Sequence, residues 1–149
     1  MYQGLIHFHS MWRYVVLVLL LLAILKSLAG WFGNKEHTNG DAKLALFAMI
    51  SLHIQLLVGL ILYGISPAVN FGPMAEMMKM PNRYWTVEHL IMMIVAVVVI
   101  TLGRNYALKA DDGHGKHKRM GIVFLIGLAI IFISIPWPWS QVSKAYFPF

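Results

Sequence analysis

The chain has no cysteine among its 149 residues. That excludes disulfides, Cys-ligated iron–sulfur clusters and covalent haem attachment through Cys-x-x-Cys-His. Any metal must therefore be held by His, Met, carboxylate or backbone. Acidic residues are scarce as well, six against twelve Lys and Arg. The chain shows no internal repeat and no linker long enough to separate domains, so residues 1–149 read as a single domain. There is no room for a separate soluble catalytic unit.

What the chain has instead is apolar length. Hydrophobic residues make up 59% of it and the mean hydropathy is +0.68, against the ~45–50% of soluble domains. The apolar residues gather into four blocks, predicting helices over about 3–30, 44–65, 84–108 and 119–135. The second, Leu44 to Ile65, carries no charge and matches the ~20 residues that cross a bilayer. The first block lacks a basic n-region and a small-residue cleavage site, and it reads as a retained helix. Short loops between four spans predict an all-α, up-down-up-down transmembrane bundle.

Positive charge sets the expected orientation. Lys26, Lys35, Lys43, Arg104, Lys109, Lys116, Lys118 and Arg119 fall on the side of the first and third loops. Arg13, Lys79, Arg83 and Lys144 fall on the other. This places both termini on the non-cytoplasmic side, with membrane lipids as partners. The net charge of +6 then suits the anionic inner leaflet and gives no argument for nucleic acid.

Nearly all intramembrane polar groups fall toward one end. His7, His9 and Arg13 open the first helix, and Glu88 and His89 open the third. His53 and Gln55 approach the same level from the second. At ~1.5 Å per residue, the depths of His9, His53 and His89 below their aromatic belt residues agree within ~8 Å. His9 and Arg13, four apart, share a helix face, as do His89, Met92, Met93 and Ala96.

Three imidazoles and an arginine at one depth suggest a non-covalent b-type haem. Such a group needs one or two neutral imidazoles, an apolar slot and cations near its propionates. His53, His89 and His9 are the candidate iron ligands, with His53 and His89 the first choice of pair. Arg13 and Arg83 are candidates for the propionates, and Met49, Met92 and Met93 for adaptable wall residues. Ser10, Ser51 and Thr86 are candidate acceptors for a ligand's second ring nitrogen. The plainer readings are an Arg13–Glu88 ion pair, a packing role for Gln55, and solvated loop positions for His37, His114 and His117. A haem-free bundle would use its histidines as interhelical hydrogen-bond groups.

At His7-Phe8-His9-Ser10, Leu52-His53-Ile54-Gln55-Leu56-Leu57 and Val87-Glu88-His89, the chain resembles small bacterial four-helix membrane proteins labelled cytochrome-b-like. The resemblance covers most of the length and implies haem b on His9, His53 and His89, in a bacterial inner membrane. Size and layout also resemble HemJ-type protoporphyrinogen oxidases, but the helix-one His is followed by a different pattern, and that family's basic residue finds no counterpart. The expected function is electron carriage, alone or as a subunit working with quinone and other membrane subunits. Two alternatives stand beside it: a haem-free structural or assembly subunit, in which Pro136-Trp137-Pro138-Trp139 docks on a neighbour, and a copper-handling protein using Met74, Met77, Met78 and Met80.

Overall fold

A computed structural model describes residues 1–137 of the chain. Pro138, Trp139 and Lys144, used above for docking and orientation, lie outside the described residues. Four long helices dominate: α1 (Tyr2–Phe32), α2 (Asn39–Ile65), α4 (His89–Leu108) and α5 (Gly113–Ser134), with a one-turn α3 (Met74–Met77) between α2 and α4. A π-helical turn, Tyr84–Glu88, leads directly into α4. The four long segments are long and apolar enough to cross a membrane, and no strand occurs among the described residues.

Two helices begin earlier than expected, each because of a cap. Thr38 and Asp41 form a reciprocal capping box: the Asp41 backbone N–H donates to Thr38 Oγ1 at 3.3 Å, and the Thr38 N–H donates to Asp41 Oδ2 at 2.9 Å. That satisfies two orphan donors and starts α2 five residues ahead of the apolar run. Asp112 caps α5 by accepting from the Gly115 N–H at 2.8 Å. The segment from Gly113 to Lys118, expected as a basic loop, is therefore the first turns of α5.

Hydrogen bonds at the two ends fix the antiparallel arrangement. At one end the Tyr2 hydroxyl lies 3.3 Å from Ser66 Oγ, and Tyr84 on the approach to α4 donates to the Ser134 carbonyl at the end of α5. At the other, Lys26 of α1 pairs with Asp41 of α2 at 3.1 Å, and Arg119 of α5 donates to the Tyr106 carbonyl of α4 at 3.2 Å. Going round the bundle, the order is α1, α2, α4, α5, with α2–α4 the loosest seam. Helices α1 and α4 stand diagonally opposite. The core is built from Val16, Leu20, Ala48, Leu52, Ala96, Ile100 and Phe124, small residues alternating with large ones so that helices approach closely. Leucines and valines such as Leu22, Leu57, Val98 and Leu102 face outward, as a lipid-facing surface requires.

His117 is not a solvated loop residue. It is only 2% exposed, its Nε2 lies 3.1 Å from the Glu36 carbonyl oxygen, and Asp41 Oδ2 is 3.8 Å away. It fits because Gly30 of α1 has no side chain: a Cβ there would overlap the imidazole ring. Gly30→Ala must move a buried ring, and overpacking of this kind costs ~1–3 kcal/mol. A lowered thermal midpoint in detergent, with helical content retained, is the expected result. An unchanged midpoint would mean the ring has room to give.

His37 lies beside His117, ring centroids 5.0 Å apart and planes tilted by 56°. Burial holds the His37 pKa below the ordinary imidazole value; His117, Lys116 and Arg104 lower it further, while Asp41 opposes them. A folded-state pKa below the unfolded one means the unfolded chain binds the extra proton first. Stability is then full above ~6.5, the unfolded imidazole value, and falls as the pH drops through the window beneath it. The thermal midpoint is expected to fall on mild acidification, and His37→Gln is expected to flatten that slope.

Candidate functional site

The end of the bundle that carries His9 holds a cavity on the diagonal between α1 and α4. Its volume is about 140 Å³. His9 and Arg13 of α1, Gln55 and Gly59 of α2, and His89 and Met93 of α4 all contribute to its wall. The rest of the wall is mainly aliphatic.

His89 is held in one orientation. Its Nδ1 lies 3.1 Å from the Ser134 carbonyl oxygen. A carbonyl only accepts, so Nδ1 carries the proton and Nε2 keeps the lone pair. Ser134 is the last residue of α5, and its carbonyl has no partner within that helix; Pro136 just beyond cannot continue it. Tyr84 donates its hydroxyl to the same oxygen. In an α-helix residues five apart point ~140° away from each other. Across the π turn, whose His89 N–H bonds to the Tyr84 carbonyl, both side chains reach Ser134. The turn is pinned from outside, by the Tyr63 hydroxyl donating to the Thr86 carbonyl at 2.8 Å and the Asn70 N–H donating to Thr86 Oγ1 at 2.9 Å.

His9 faces the cavity from α1. Its Nδ1 is buried with no hydrogen-bond partner, and its ring lies over Gly59, where an added Cβ would sit 3.2 Å from Cε1. Gln55 donates from Nε2 to the His9 carbonyl at 2.9 Å, locking α2 to α1, while its Oε1 is buried and unsatisfied. Orphaned polar atoms of this kind are rare in folded proteins and call for a partner. Arg13 is 7% exposed; its Nη2 donates to the Tyr14 hydroxyl at 3.0 Å and its guanidinium lies 4.7 Å from that ring's centroid.

The other sequence candidates stand elsewhere. His53 is exposed on the outer side of α2, with Nε2 2.9 Å from Thr101 Oγ1 of α4, and takes no part in the cavity wall. The buried face of α2 is set by Ser51, Leu52, Gln55 and Leu62; His53 is turned ~100° from Leu52 and ~200° from Gln55. Gln55 is therefore the polar residue that α2 presents to the site, a placement legible in its i, i+4 and i, i+7 spacing to Gly59 and Leu62. Arg83 is paired with Glu88 at 2.7 Å on a half-exposed surface, so Glu88 does not pair with Arg13. Met49 packs against the core and Met92 lies off the cavity wall. Ser51 Oγ donates to the Ala48 carbonyl, and Thr86 serves the π turn. Neither is the acceptor for a ring nitrogen; the Ser134 carbonyl is. His7 is exposed on the outside of α1, and Met74, Met78 and Met80 face outward.

Among the described residues, no group of three or more His, Cys, Asp or Glu comes together as a metal site. Haem iron makes a smaller demand, since the porphyrin fills four positions and the protein supplies one or two. The donor chemistry at the cavity fits that demand: two imidazoles on diagonal helices, one with its Nδ1–H tied to a carbonyl and the other with an orphaned nitrogen. The volume of about 140 Å³ is below the ~300–1,000 Å³ of usual ligand pockets, so a macrocycle would need more room than the cavity has as it stands. Compared with protein-family models, with curated proteins and with solved structures, the chain finds no match.

Proposed function

We propose that this multi-pass membrane protein is a b-type haem carrier of electrons, in which His9 and His89, in place of His53 and His89, would hold the iron. The observation that carries the reading is the diagonal pairing of two imidazoles across one apolar cavity, each with a ring nitrogen left for a guest. When bound, haem b supplies a reversible one-electron couple. The chain's own residues do the rest. Ser134 and Tyr84 hold the His89 ring, the second contact that metal-binding histidines usually have. Arg13 offers a cation suited to a propionate carboxylate, and the aliphatic wall keeps water from the centre.

The cation bias supports a cytoplasmic His117 end, and with it a position for His9 and His89 toward the outer face of a bacterial inner membrane. Quinol is the fitting electron donor there, with other membrane subunits as acceptors. The volume of about 140 Å³ favours a second reading of the same site, since a cavity near ~150 Å³ accommodates a single six-membered ring. In it a quinone headgroup sits between His9 and Gln55 without haem. The absorption spectrum of the purified protein separates the two. A Soret band and a sharp reduced α-band are expected; a colourless protein whose tryptophan fluorescence, with Trp85 in the cavity wall, is quenched by a short-chain quinone would favour the second reading.

A further inference from the structure

At the opposite end of the bundle, α4 and the start of α5 flank a separate, open cleft of about 470 Å³. Tyr106 forms one wall; His114, Lys118, Arg119, Ile122 and Val123 form the other. We propose that this cleft holds the phosphodiester headgroup of an anionic phospholipid, with its acyl chain lying along α5.

The residue order on α5 is the order of parts in a phospholipid. His114, Lys118 and Ile122 are spaced by four, as are Arg119 and Val123, so they form one stripe on the helix. Along that stripe cations give way to apolar side chains. The stripe continues past the cleft as Leu125 and Ile126, which are exposed at 51% and 49%, and Leu102 of α4 beside it is exposed at 62%. A headgroup at Lys118 and Arg119 therefore puts its chains against greasy surface, where an inorganic anion would leave that surface bare.

The charge at the top is arranged rather than scattered. Arg119 lies with its guanidinium carbon 4.3 Å from the Tyr106 ring centroid and donates Nη1 to the Tyr106 carbonyl at 3.2 Å. That fixes the planar fork at the cleft edge and leaves its remaining N–H donors for an oxyanion. Lys118 Nζ lies 5.8 Å from the Trp31 ring centroid, and tryptophan belongs at headgroup level. No carboxylate lines the cleft among the described residues, and Asp112 nearby is occupied by the Gly115 N–H. Basic clefts between membrane helices recognise anionic headgroups in this way.

The test is lipid retention by the full chain, read by native mass spectrometry with phosphatidylglycerol or phosphatidylcholine added to the detergent-purified protein. Phosphatidylglycerol is expected to be retained and phosphatidylcholine not. Removing both cations, Lys118→Gln with Arg119→Gln, is expected to weaken retention about thirtyfold, and the exposed Lys118→Gln alone about fivefold. The single variant gives the reading if the double one unfolds. Lys35→Gln with Lys43→Gln removes the same charge from the same end and is expected to leave retention unchanged. Equal retention of both lipids, an equal loss in that control pair, or displacement of phosphatidylglycerol by millimolar inorganic phosphate would each overturn the proposal.

Discussion

His89→Leu is expected to abolish the Soret band of the purified protein while leaving its helical circular dichroism intact. His89 is the better held of the two imidazoles, bound through Nδ1 to the Ser134 carbonyl, with Tyr84 on the same oxygen. Its Nε2 is thus presented without an ordering cost on binding. Leucine fills a similar volume, keeps helix propensity and removes a buried polar group, so folding has no reason to fail. It does leave the Ser134 carbonyl to Tyr84 alone, which still satisfies it. His53→Leu, the matched control, cuts only an outward-facing bond to Thr101 and is expected to keep the spectrum. Loss of colour in His53→Leu with retention in His89→Leu would reverse the assignment.

The second large effect needs no ligand removed. Gly59→Leu places a branched side chain where the His9 ring now lies, since even a Cβ would come within 3.2 Å of that ring. The imidazole must swing away from the cavity, and the leucine takes up some of the enclosed space. Bound haem or quinone is expected to fall to near zero or to lose its His9 contact. Gly64→Leu provides the control further along the same helix, where an added Cβ meets nothing within 4 Å. Both changes improve helix propensity, so a difference between them reports the cavity alone. Equal behaviour of the two variants would mean that the His9 position has no bearing on the site.

The four spans are legible in the sequence because uninterrupted apolar length is a strong signal. Their starts are less so: Thr38–Asp41 and Asp112 cap helices that run through Gly and Lys residues resembling loop chemistry. The depth of His9 and His89 is legible too, but His53 lies deeper than counting suggests: it bonds to Thr101, which is ~18 Å along α4 from His89. Which way each side chain faces is not legible. Counting from the belt residues groups His53 with His9 and His89, whereas the buried face of α2 runs through Leu52 and Gln55. The grip on His89 is hidden for a different reason. It depends on a π turn stabilised by Tyr63 and Asn70 from other segments, and on a carbonyl whose availability follows from where α5 stops. His117 reads as a loop residue because the space that Gly30 makes for it lies far earlier in the chain.

The pairing of His9 with His89 is tested most directly by electron paramagnetic resonance of the oxidised, purified protein. A low-spin ferric signal of bis-imidazole type is expected in the wild type, turning high-spin in His9→Leu, where His89 alone remains. A protein that contains no iron, or one whose low-spin signal survives both His9→Leu and His89→Leu, would contradict the account.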